Sequence, residues 1–150
     1  MSLGTVLLVL HIVAAGMWLG ANVMRAVVPN LIAPHGAEAT AGWFRVAGSL
    51  SKRLYMPAAI VLLATGVWMV LRTNSYGFGS LFVTIGFAMI IVSAVLGIVV
   101  FGPGSEVAAK AVEAGDESRI KAATSRLAAF GTVDTLLLLF TITVMVNRWT

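Results

Sequence analysis

The chain has 150 residues, 59% of them hydrophobic and 11% charged, where a soluble domain carries about 25% charged residues. With a mean hydropathy of +0.98, this excludes an ordinary water-soluble domain and predicts a single integral membrane domain over residues 1–150. The net charge of +4 comes from basic residues scattered over loop-like stretches, which argues against nucleic-acid binding; the absence of cysteine excludes disulfides, thiolate metal sites and thiol chemistry.

Four apolar runs are long enough to span a bilayer: about Leu3–Val28, Leu54–Leu71, Phe78–Phe101 and Leu127–Val146. A span needs about 20 residues. Backbone groups in hydrocarbon must be satisfied within the segment, and alternating strand patterns are absent, so an all-α four-transmembrane-helix bundle is predicted. No Lys or Arg precedes the first run and no small-residue cleavage site follows it, so it reads as a retained helix.

That first run carries His11, Trp18, Asn22 and Arg25. At about 100° per residue, the last three fall within roughly 40° of His11, on one narrow stripe. Val6, Val9, Val13, Leu19 and Val27 lie at or near the opposite, aliphatic face. Ionisable groups inside a membrane segment are costly and face protein or a cavity, so the stripe is the candidate site.

In the first connection, Pro29-Asn30 and Pro34-His35-Gly36 are expected to break the helix. Ala37–Leu50 then reads as a short amphipathic helix on the membrane surface, with Trp43 and Phe44 at headgroup depth. His35 reads as a solvated loop residue. Tyr55 is expected at the interface, with Pro57 in the first turn of the second span. In the third span Gly79, Gly86, Ser93 and Gly97 share a face that suits close helix packing. Gly102-Pro103-Gly104 is expected to stop that span, and Ser105 to cap a second cytoplasmic amphipathic segment. Glu106 and Lys110 are spaced to pair within it, and Gly115-Asp116 to bend or split it. Eight of the ten Lys and Arg residues fall in or beside the first and third connections, which predicts an N-out/C-out topology with both long loops cytoplasmic.

The fourth span carries Asp134. An unpaired carboxylate there is costly, so Asp134 is expected inside the bundle, in contact with Arg25 directly or through a ligand. Thr135, Thr141 and Thr143 are expected to bond back to their own helix. His11, about 10–12 Å below the outer surface by helical rise, is a candidate haem or metal ligand, an interhelical hydrogen-bonding group or a proton carrier. Met69 and Met145 lie at similar or shallower depth, so a His/Met axial pair is geometrically possible. No soluble-enzyme motif is present.

The stretch His11-Ile12-Val13-Ala14-Ala15-Gly16-Met17-Trp18-Leu19-Gly20 resembles the first-helix motif of small bacterial multi-span proteins of the CopD and HemJ types. Arg25 and Pro29 resemble the Arg and Pro that follow in the HemJ type. Ser51-Lys52-Arg53-Leu54-Tyr55-Met56-Pro57-Ala58 resembles the start of that type's second helix. Phe130-Gly131-Thr132-Val133-Asp134 and the ending Val144–Trp149 are similar to actinobacterial membrane proteins of this kind. The resemblance implies a haem-associated role for His11. The third span has no histidine, where the HemJ type carries further polar groups, and His and Met clustering suited to copper is missing, so haem b is expected ahead of copper, and oxidase catalysis lacks a complete motif.

The leading expectation is therefore a haem b-binding electron-transfer or haem-handling protein of the bacterial inner membrane. His11 is the ligand, and Trp18, Asn22, Arg25, Asp134, Met69 and Met145 are the further candidate cofactor-binding residues. Bis-histidine ligation would require a homodimer. The alternatives are a small transporter or accessory subunit with a polar path along His11, Asn22, Arg25 and Asp134, or a structural bundle within a larger membrane complex.

Overall fold

The computed structural model describes residues 2–148; Trp149, part of the terminal motif above, lies outside the described residues. α1 (Leu3–Ile32) runs into a 3₁₀ turn (Ala33–His35). α2 (Ala37–Leu50) and α3 (Met56–Arg72) are joined by a π-turn (Ser51–Tyr55), and α4 (Leu81–Leu96) and α5 (Gly102–Glu113) by a second one (Gly97–Phe101). α6 (Glu117–Asn147) completes the chain.

Each joined pair is one continuous rod. The result is an up-and-down bundle of four rods, Leu3–His35, Ala37–Arg72, Leu81–Glu113 and Glu117–Asn147, all long and apolar enough to cross a membrane. This is the make-up of a multi-pass membrane protein, and the outward faces agree with it: Ile12, Val13, Met17, Ile60, Ile91 and Leu136 are all exposed, an apolar exterior too extensive for water. At 1.5 Å per residue the rods measure about 45–55 Å, well beyond a hydrocarbon core of about 30 Å.

The extra length corrects the expected loops. Residues Ala37–Leu50 do not form a separate surface helix, and Gly102-Pro103-Gly104 does not stop the third helix. Instead α2, α5 and the start of α6 extend the bundle around a second, alanine-rich core of Ala41, Phe44, Ala108, Ala109, Val112 and Ala123. Small residues let these rods come close: a Cβ on Gly48 would stand 3.4 Å from the Ser105 Cβ. Ser105 is thus buried mid-rod, not an N-cap, and Phe44 is core, not a headgroup anchor. Pro29 likewise lies within α1. His35 is exposed, and the chain does split at Gly115-Asp116, where Gly115 adopts φ +64°.

The two π-turns share a cause. The Met56 N–H reaches back five residues to the Ser51 carbonyl, and the Gly102 N–H to the Gly97 carbonyl. The next residues are Pro57 and Pro103, which lack an N–H and crowd the carbonyl four positions earlier. A wider turn at that point moves the crowded carbonyl aside and lets the rod continue.

Above the alanine-rich core, a central cluster of Ala14, Trp18, Ala58, Leu62, Met89 and Leu138 joins all four rods. Val70, Phe82, Val83 and Val144 close the far end. The α1 stripe faces this interior. The opposite valines are exposed, whereas Leu19 turns toward the central cluster.

Candidate functional site

Asp134 lies in the middle of α6 and is 1% exposed. Its Oδ2 accepts from Trp18 Nε1 at 3.3 Å and from Asn22 Nδ2 at 2.8 Å, both on α1. Its Oδ1 accepts from the Ser93 hydroxyl of α4. The Asn22 Oδ1 in turn accepts from the Tyr55 hydroxyl, which leads into α3, at 2.8 Å. One hydrogen-bonded layer therefore draws a side chain from each of the four rods. Trp18 and Tyr55 also pack edge-to-face, ring centroids 5.2 Å apart.

Arg25 does not bond Asp134 directly. Its Nη2 donates to the Ala47 carbonyl at 2.8 Å. Its guanidinium lies over the rings of Tyr55, at 5.5 Å, and Phe101, at 4.5 Å, within the range of cation–π attraction. Those two rings are the last residues of the two π-turns, so the same local widening that accommodates the prolines places both aromatics on the guanidinium. The path from Arg25 to Asp134 runs through Tyr55 and Asn22.

On the other side of the layer, His11 Nδ1 lies 2.8 Å from Thr65 Oγ1. The Thr65 hydroxyl has one proton, directed at the Val61 carbonyl 2.6 Å away. The Thr65 oxygen is therefore the acceptor for His11, and Nδ1 carries the hydrogen. Nε2 then keeps its lone pair. His11 lines a cavity of about 480 Å³ between α1, α3, α4 and α6, together with Leu62, Gly66, Met69, Phe87 and Met145. The walls are mostly apolar, and Arg148 supplies one guanidinium.

A second cavity, of about 500 Å³, lies on the opposite side of the layer and is lined by Asn22, Arg25, Ala47, Phe101, Gly131 and Thr135, among others. The structure thus distributes the sequence candidates over three places. His11, Met69 and Met145 share one cavity, Asn22 and Arg25 border the other, and Trp18 and Asp134 form the partition between them. His11 and Arg25 are 14 residues apart on α1, about 21 Å along the axis.

Three contributors were not singled out from the sequence. Ser93 read as a packing residue, Tyr55 as an interfacial one, and Thr65 carried no reading. Tyr55-Met56-Pro57 and Phe101-Gly102-Pro103 do share an aromatic-X-proline pattern, the one local signal of the clamp around Arg25. The expected back-bonding threonines are present: Thr135, Thr141 and Thr143 donate to the carbonyls four residues earlier. Glu106 and Lys110 pair at 3.3 Å. Among the described residues, no group of three or more His, Cys, Asp and Glu side chains is gathered to hold a metal ion. No family model, curated protein or solved structure matches this chain.

Proposed function

We propose that the protein is a multi-pass membrane protein, N-out/C-out, that binds haem b through His11 and serves in electron transfer or haem handling, in the manner of the HemJ-type proteins it resembles. The observation that carries this reading is the 2.8 Å hydrogen bond between His11, which lines the apolar cavity, and the buried Thr65. A ligating imidazole is held by a partner on its other nitrogen, which fixes its tautomer and orientation. Thr65 plays that part and leaves Nε2 unprotonated. The donor set fits the group: one imidazole, the thioethers of Met69 and Met145 on the same cavity, apolar walls, and Arg148 for a carboxylate edge. Bound haem would supply one-electron redox chemistry; the chain supplies the imidazole, its orientation and mostly apolar walls.

The test is the visible spectrum of the full chain expressed with ample haem. A Soret band is expected in the wild type, absent in His11→Ala and weakened or shifted in Thr65→Val, which keeps the shape of the side chain but removes the acceptor. A wild-type spectrum without a Soret band removes the reading. An accessory structural bundle is then the better description, favoured by the complete internal hydrogen bonding of Asp134.

A further inference from the structure

The second cavity carries an observation that haem binding at His11 does not use. Among the described residues, two buried side-chain polar atoms have no hydrogen-bond partner, Arg25 Nη1 and Ser51 Oγ. Of the two, Arg25 borders the second cavity and holds the Ala47 carbonyl through its other terminal nitrogen. Leaving a charged donor buried and unpaired is expensive, and such orphans in a folded protein call for a partner from outside the chain.

The surroundings of Arg25 are otherwise fully built. Two aromatic rings, each set by a π-turn, clamp the guanidinium, and π-turns are concentrated at functional positions. Asp134 is occupied by Trp18, Asn22 and Ser93 and does not pair with it. Arg25 borders the cavity of about 500 Å³, where it is, among the described residues, the sole charged side chain of the wall. The rest of the wall combines apolar groups such as Leu127, Leu136 and Ala128 with hydroxyl and amide groups. A charged anchor in an apolar-walled cavity is the arrangement that binds an amphiphile by its head.

We propose that this cavity binds an oxyanion head group, a phosphate or carboxylate, with Arg25 as its anchor and the apolar wall against the attached chain. Guanidinium matches both anions through paired N–H donors; Nη1, buried and without a partner, meets the head group when the Arg25 side chain turns toward the cavity it borders. The proposal does not rest on haem binding, since His11 and its cavity lie beyond the Asp134 layer.

The experiment is thermal unfolding of the purified full-length protein in an uncharged maltoside detergent, titrated separately with dodecyl phosphate, inorganic phosphate and dodecanol. A saturable rise in melting midpoint is expected with dodecyl phosphate and none with dodecanol. A rise with inorganic phosphate of the same size assigns the site to a free anion; a rise confined to dodecyl phosphate assigns it to a membrane-borne head group. Arg25→Gln is expected to weaken the response at least tenfold. To separate binding from folding, Gly131→Leu provides a second variant: no atom lies within 4 Å of a Cβ built there, and its side chain fills the cavity while leaving Arg25 intact. An equal response to dodecanol, no response to any of the three, or undiminished binding in folded Arg25→Gln or Gly131→Leu overturns the proposal.

Discussion

Replacing Asp134 tests whether the four-rod layer is a hydrogen-bonded unit or a buried charge. Asp134→Leu removes the acceptor for Trp18, Asn22 and Ser93 together. Interhelical hydrogen bonds in membrane proteins average about 0.6 kcal/mol and reach about 1.7, so three lost bonds amount to roughly 2–5 kcal/mol. Stranding the indole and amide donors in the 1%-exposed site pushes the cost toward the upper end, because unsatisfied buried donors cost about 1–3 kcal/mol each. Against a total stability of about 5–15 kcal/mol, that is a large loss. Asp134→Asn differs in a way the geometry dictates. Its carbonyl oxygen can take the Oδ2 position and accept from Trp18 and Asn22, while its NH₂ faces Ser93, whose hydroxyl turns from donor to acceptor. All three contacts survive in neutral form, and the desolvation of a carboxylate disappears. The expected change for Asn is within about 1 kcal/mol, the size of one neutral hydrogen bond. Unfolding by sodium dodecyl sulfate titration, followed by circular dichroism, measures both. Leu as stable as the wild type would show that the layer contributes no specific bonding, and Asn as damaging as Leu would show that the negative charge, acting on Arg25 through Tyr55 and Asn22, is what matters.

Three further outcomes follow from other parts of the molecule. Asp116 caps α6, accepting from the Arg119 N–H at 3.0 Å and from Ser118; these bonds hold its carboxyl below the ordinary value of 3.8. A lowered folded value stabilises above the unfolded pKa and is lost as pH falls through the folded one. The melting midpoint of Asp116→Ala should therefore lie below the wild type at pH 6 and converge on it below pH 4; a constant gap would contradict the cap. At Gly86, an added methyl would collide with the Met145 Cε. Gly86→Ala trades about 1 kcal/mol of helix propensity against displacing that thioether, so the informative quantity is the coupling with Met145→Ala, expected near 1 kcal/mol in a double-mutant cycle. For topology, the chain has no cysteine, so single Asn74→Cys and Glu117→Cys variants report cleanly: a membrane-impermeant maleimide applied to cells should label the first and spare the second.

What was legible in the sequence was what repeats at helical spacing. The four apolar runs and the inward stripe of α1 needed only the 100° rule, because Trp18 and Asn22 share a face whatever they meet there. Asp134 was legible as interior for a different reason: a carboxylate in an apolar helix has nowhere else to go. The partners were not legible, since Ser93 and Thr65 look like any small polar residue on a packing face until another helix supplies Asp134 or His11. The continuous rods were hidden by proline itself. Pro57 and Pro103 read as boundaries under the α-helical rule, but a π-turn before each one removes the clash that makes proline a breaker.

That same widening explains why the polar groups separate as they do. A π-turn adds a residue without adding a full turn of rise, so side chains beyond it are rotated relative to a straight helix. Tyr55 is thereby placed where its hydroxyl reaches Asn22 and its ring covers Arg25, and Phe101 meets the guanidinium from the neighbouring rod. With the guanidinium held by rings and by the Ala47 carbonyl, the carboxyl of Asp134 is left to uncharged donors. The layer then closes without a direct ion pair, and the bundle has a hydrogen-bonded waist with one cavity on either side. A one-residue slip of any rod turns its contributing side chain by about 100°, so the four-rod bonding sets the register of the whole bundle. The two cavities inherit that register: shifting α3 against α1 would move Thr65 off His11 and Tyr55 off Arg25 at once, which couples both candidate sites to the stability of the Asp134 layer between them.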